Sequence, residues 1–205
     1  MTVDVPDWRA AIEAHEADHP AVALARVRRL LAAAPTDWPA RLLLGKLLTE
    51  FARYAEARAA LDALADDPIS SRPRPRLLVI RAIAELHDRA GDSEPALRAY
   101  ERLRELAPED TDGYVLGGAL LARLGRLDEA AAIYQAGTAC AGGAVDECWH
   151  NLGLVRRAQE RHAEAAAAFA RALELDPAYA AARAALADVT AALALAGLEP
   201  PPAPA

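Results

Sequence analysis

Residues 147–179 read ECWHNLGLVRRAQERHAEAAAAFARALELDPAY. Apolar side chains recur every three to four positions in two runs: Trp149, Leu152 and Val155, then Ala165, Phe169, Ala172 and Leu175. That spacing gives each run one buried helical face. Glu160-Arg161-His162 interrupts the pattern and Asp176-Pro177 closes it, since proline lacks an N–H and disfavours helix in the residue before it. The stretch therefore predicts two helices back to back. Gly153 and Ala165 are the small residues that let an antiparallel pair approach closely. Phe169 is expected to fill the space between this pair and the next, and both Trp149 and Phe169 are expected in the core.

The same register runs outward through the chain. The small residue that opens each second helix recurs at Ala23, Ala57, Ala96, Ala130 and Ala165, at intervals of 34, 39, 34 and 35 residues. Four residues later stand Val27, Leu61, Tyr100, Tyr134 and Phe169, and three further on Leu30, Leu64, Leu103, Gly137 and Ala172. Five units follow, at about residues 4–37, 38–68, 77–110, 111–145 and 146–179, and then a lone helix over 180–196. The first unit is the most degenerate, with Ala10 and Ala11 where the second unit has Leu44-Gly45. Residues 69–76, ISSRPRPR, hold the five extra residues between the second and third units. Pro73 and Pro75 argue against a continuous helix there. An exposed connector is the expectation, with a basic recognition loop or a hinge as alternatives. The tail from residue 197, ending LEPPPAPA, is expected to be disordered.

Trp149, Leu152-Gly153, Ala165, Phe169, Ala172 and Pro177 together resemble the tetratricopeptide repeat, whose period is about 34 residues. Arg156 stands where that family usually has tyrosine. The resemblance covers about residues 4–196. It implies an all-α, right-handed superhelical solenoid of five helix pairs plus a C-terminal capping helix, acting without catalysis as a protein–protein interaction scaffold.

Composition agrees with an all-α chain. Of the 205 residues 54% are hydrophobic but only 5% aromatic, and the excess is alanine, the best helix former. The net charge of −7 argues against nucleic acid as the main partner. The N-terminus has neither the basic nor the apolar region of a signal peptide. No run approaches the ~18 apolar residues that a membrane span needs, so no membrane insertion is expected. Two cysteines are too few for a disulfide framework. A bacterial, cytoplasmic protein is the simplest reading, and Lys46, the only lysine among 23 basic residues, is consistent with a GC-rich genome.

By the same resemblance, the first helices line a concave groove. The groove positions include Trp8 and Ile12 in the first unit, Lys46 and Glu50 in the second, and Arg81, Glu85 and Arg89 in the third. The fourth contributes Arg123, and the fifth His150, Leu154 and Arg157. Apolar residues at one end and charges in the middle suit a peptide or helix held by a few anchors plus charge pairing. Arg81, Arg89, Arg123 and Arg157 would form a row reading acidic groups. Helical spacing equally pairs Arg81 with Glu85 and Glu85 with Arg89. The asparagine of the chaperone-tail carboxylate clamp is missing from its usual groove position, so such tails are not expected as ligands.

Catalytic signatures are missing: there is no G-x-S-x-G, phosphate-binding loop, H-E-x-x-H or G-x-G-x-x-G. No cofactor and no metal is expected. His15 and His19 lie four apart, a spacing that can chelate a metal, but no further ligand lies in the segment. Cys140 and Cys148 end one helix and begin the next, near His150. Buried thiols are expected there, with a disulfide or a metal site as alternatives. The functional expectation is an adaptor for a protein or peptide partner. Two alternatives stand beside it: a homo-oligomeric scaffold assembled through the apolar helix Ala180–Ala196, or a non-catalytic portion of a transferase-type enzyme.

Overall fold

The computed structural model describes residues 6–17 and 19–197, without the side chains of residues 6–9 and 16. Among them the chain is α-helical, with no strand. The helices are α1 (Pro6–Glu16), α2 (Pro20–Ala33), α3 (Trp38–Glu50), α4 (Tyr54–Ala65), α5 (Pro73–Ala90) and α6 (Ser93–Leu106). They continue as α7 (Asp112–Arg123), α8 (Leu127–Gly137), α9 (Val145–Ala158), α10 (His162–Leu175) and α11 (Ala180–Leu195). This is a helical repeat solenoid: five pairs and a final single helix. The expected tail lies, beyond Gly197, outside the described residues.

Two compact units divide the chain, Met1–Ala99 and Tyr100–Ala205. In the first, α1 packs on α2, α3 on α4, and each second helix on the first helix of the next pair. The first helix α3 also touches the first helix α5. Ala23, Val27, Leu47, Ala57, Leu61, Leu64, Val79 and Leu86 form one buried core there. The second unit repeats the scheme, with α7 against α8 and α9, and α10 between α9 and α11. Phe169 is fully buried against Ala165, Val189 and Leu193.

Small residues set the helix spacing as anticipated. A Cβ added at Gly153 would lie 2.5 Å from the Phe169 ring, and one at Gly45 would lie 2.5 Å from Leu61. Close approach, rather than backbone freedom, is what these helical glycines supply. Backbone freedom matters instead between the helices of a pair. Ala52, Gly91, Gly125 and Glu160 all have positive φ (55°, 83°, 73° and 61°), so each of the turns after α3, α5, α7 and α9 uses one left-handed residue. Between pairs, acidic side chains cap the chain reversal. Asp37 accepts from the Ala40 N–H, Asp110 from Asp112 and Asp176 from Ala178.

Two expectations need correction. The prolines of 69–76 do not keep helix out of that segment: Pro68–Ser71 is a 3-10 turn, and α5 begins at Pro73. Proline is tolerated in a first helical turn, where N–H groups have no intrahelical acceptor. The extra residues therefore lengthen α5 to 18 residues. Trp149, for its part, is half-buried rather than core, with the Arg171 guanidinium 5.9 Å from its ring centroid. Arg156, in the usual tyrosine position, reaches across to α10 and lies 3.4 Å from Glu164.

Candidate functional site

Four of the residues anticipated for the groove meet in one cleft of the first unit. Lys46 and Glu50, one turn apart on α3, face Glu85 and Arg89, one turn apart on α5, with Thr49 and Ala82 as the floor. The i, i+4 spacing places each pair on one helical face, and contact between α3 and α5 brings the faces together. Thr49 is buried and donates its hydroxyl to the Gly45 carbonyl at 2.9 Å, so it supplies shape rather than a free polar group.

The charges of this cleft are unequally occupied. Arg81 donates to Glu85 at 2.9 Å, and Glu50 lies 3.4 Å from the His15 ring. Both carboxylates thus have neighbours on the protein. Lys46 and Arg89 are exposed, and among the described residues neither has an acidic partner within ion-pairing distance. The cleft offers two uncommitted cations beside two committed anions.

Other anticipated residues behave differently. Ile12 is half-buried on α1, whereas the Trp8 side chain lies outside the described residues. Arg123 is exposed in the last turn of α7. Arg157 donates to Asp188 of α11 at 3.0 Å. Leu154 packs against the Phe169 cluster. His150 is an interior residue, only 9% exposed. Its ring lies 5.7 Å from Phe169 and 4.8 Å from Tyr179, and the Tyr179 hydroxyl is 3.2 Å from Nδ1. Burial holds its pKa below the ordinary histidine value, and the positive charge of Arg157 adds to this. Of the expected arginine row, Arg81 is paired with Glu85 and Arg157 with Asp188.

The cysteines are free thiols. Burial pushes the Cys148 pKa up to about 12, so at neutral pH it is a protonated apolar filler. Cys140 donates to the Pro108 carbonyl at 3.4 Å. His15 meets Glu50 rather than completing a site with His19, and no group of three or more potential metal ligands occurs among the described residues. No described helix is long and apolar enough to cross a membrane. Sequence reasoning missed a recurring device: Arg53–Glu56, Arg126–Glu129 and Arg161–Glu164 each pair at the start of a second helix. Their shared offset from Ala57, Ala130 and Ala165 was the signal that would have found it.

Comparison with known proteins agrees with this architecture. Tetratricopeptide repeat profiles match residues 9–71, 81–144 and 146–179. The chain belongs to the tetratricopeptide repeat family, whose repeats are in general non-catalytic protein-interaction modules. Among curated proteins no relative matches the sequence. Among solved structures it is similar to TTC0263, a thermophilic repeat protein of Thermus thermophilus, at 21% identity over 91% of this chain and 98% of that one (TM-score 0.65). It is similar to MamA from Desulfovibrio magneticus at 17% identity over 84% of this chain and 94% of that one (TM-score 0.64). YrrB, described as a repeat protein with an unusual peptide-binding site, is 20% identical over 88% of this chain and 90% of that one (TM-score 0.58). These likenesses establish the fold.

Proposed function

We propose that the protein is an adaptor that holds a peptide or helix of a protein partner against its first helices, with the α3–α5 cleft as the principal contact. The observation that carries this reading is the pair of cations, Lys46 and Arg89, that have no acidic partner among the described residues and are set over a floor of small side chains, Thr49 and Ala82. A carboxylate entering between them gains charge-assisted hydrogen bonds without breaking an existing ion pair. Glu50 and Glu85 at the flanks disfavour a ligand with a second negative charge on either side, which gives the site selectivity. A bacterial cytoplasmic setting goes with this reading, and the free cysteines support it.

The test is selection from a random peptide-display library, followed by binding to a Lys46→Glu, Arg89→Glu variant. Enriched peptides should share one acidic residue, and the variant should lose them while keeping its helical circular dichroism spectrum. Undiminished binding to the variant would place recognition elsewhere.

One observation favours a second reading, self-association through α11. The buried face of this helix is Ala182, Ala185, Val189 and Leu193, and outside it Leu195 is 91% exposed among alanines. Light scattering at rising concentration tests it: a mass that stays monomeric, or a dimer unaffected by Leu195→Asp, would remove this reading.

A further inference from the structure

The start of α5 carries a second cationic feature, apart from the cleft just described. Arg72, Arg74 and Arg76 fall within five residues at its first turn. Among the described residues, none of the three guanidinium groups has an acidic partner or a hydrogen-bond acceptor. Elsewhere in the same unit, Arg41, Arg53, Arg58 and Arg81 each meet a carboxylate. Three uncommitted arginines so close together in a chain of net charge −7 are a local reversal of its electrostatics.

Beside them lies a cleft of about 340 Å³ between the end of α4, the 3-10 turn and α5. Its apolar wall is Ala65, Val79 and Ile80, and Arg76 stands on its rim. The polar groups around it are already engaged. Ser70 donates to the Leu64 carbonyl at 2.6 Å and Ser71 to the Pro68 carbonyl at 2.7 Å. Asp67 accepts from the Ile69 N–H at 2.9 Å and sits 3.7 Å from Arg41. What remains open is an apolar slot bordered by arginine.

We infer that this slot and the Arg72–Arg74–Arg76 cluster form a separate docking site for an acidic protein segment that carries one aliphatic side chain. The aliphatic group enters the cleft against Val79 and Ile80, and flanking carboxylates take the guanidinium forks. Arginine suits this role because its planar fork meets a carboxylate with two parallel hydrogen bonds and is weakly hydrated. From Arg76 to Arg89 the chain rises about 20 Å along α5, so this site and the α3–α5 cleft take separate parts of a ligand.

The probe is a fluorescein-labelled, end-blocked peptide Glu-Glu-Leu-Glu-Glu, titrated with the intact protein and followed by anisotropy. Comparison peptides replace Leu with Ser or Glu with Lys. Triple substitution of Arg72, Arg74 and Arg76 by Gln should weaken binding by about tenfold or more, as should raising salt from about 50 to about 300 mM. The Ser peptide should bind severalfold more weakly and the Lys peptide not at all. Lys46→Gln with Arg89→Gln should leave this binding unchanged, so either site can fail alone. Saturation unaltered by the triple substitution, equal binding of the Lys peptide, or no binding of the acidic peptide would overturn the inference. So would loss of binding through Lys46 and Arg89 instead, or a preference of the arginine cluster for an RNA oligonucleotide or an anionic vesicle. The substituted side chains are exposed or half-buried, and an unchanged circular dichroism spectrum confirms that the variants fold.

Discussion

Replacing Gly153 with alanine tests the close approach of α9 and α10. In an open helix the change would stabilise by about 0.8–1.0 kcal/mol, because glycine is the poorer helix former. Here the new methyl carbon would lie 2.5, 2.7 and 2.9 Å from three atoms of the Phe169 ring. That ring is fully buried, so it has nowhere to swing. Overpacking of this kind costs about 1–3 kcal/mol, so Gly153→Ala should be net destabilising by roughly 1 kcal/mol. Phe169→Ala alone should cost about 3–5 kcal/mol as a cavity. With Phe169 already truncated, however, the clash has no partner. Gly153→Ala should then stabilise by about 1 kcal/mol, giving a coupling of about 2 kcal/mol between the sites. Urea unfolding followed by far-ultraviolet circular dichroism on the wild type, both single variants and the double variant closes the cycle. An additive cycle, in which Gly153→Ala stabilises both backgrounds equally, would refute the contact and with it the register.

Three further outcomes follow from the same structure. Glu160 holds a left-handed turn at φ 61°, so Glu160→Gly should stabilise by about 1 kcal/mol, read as a higher urea midpoint. Trp149→Ala should cost only about 1–2 kcal/mol, well short of Phe169→Ala, because the indole is half-buried; equal midpoints for the two would return Trp149 to the core. His150 has its folded pKa pushed below the ordinary 6.5 by burial, so the unfolded chain takes the proton first as pH falls. Its contribution is whole above that value and declines below it, down to the folded pKa. The urea midpoint of wild type should thus drop further between about pH 7.5 and about pH 5.5 than that of His150→Gln, and equal drops would contradict a buried neutral imidazole.

The repeat was legible because its period is carried by residue size. Ala57 and Leu61 are both fully buried, as are Ala165 and Phe169, and steric need at such positions leaves a direct trace in residue type. Positions held by backbone geometry left a weaker trace. Gly91 and Gly125 announce left-handed turns, whereas Ala52 and Glu160 do the same work at the same offset without glycine. The ISSRPRPR stretch misled for a related reason. Two prolines read as helix breakers, but their effect depends on where the helix begins, and Pro73 occupies its first turn.

Site residues were harder, because position on a helix fixes where a charge points and not whether it is already spent. Arg81 and Arg89 are both arginines at anticipated groove positions of α5 and cannot be told apart by spacing. Arg81 is held to Glu85 at 2.9 Å, so a ligand must displace that pair and recovers little net energy from the exchange. Arg89 meets a ligand with only water to lose. The same distinction separates Arg157, bound to Asp188, from Lys46. It also turns ISSRPRPR from an expected connector into a candidate contact, since among the described residues its three arginines have no acid within reach. On a surface as rich in salt bridges as this one, recognition falls to the charges left over after the protein has paired its own.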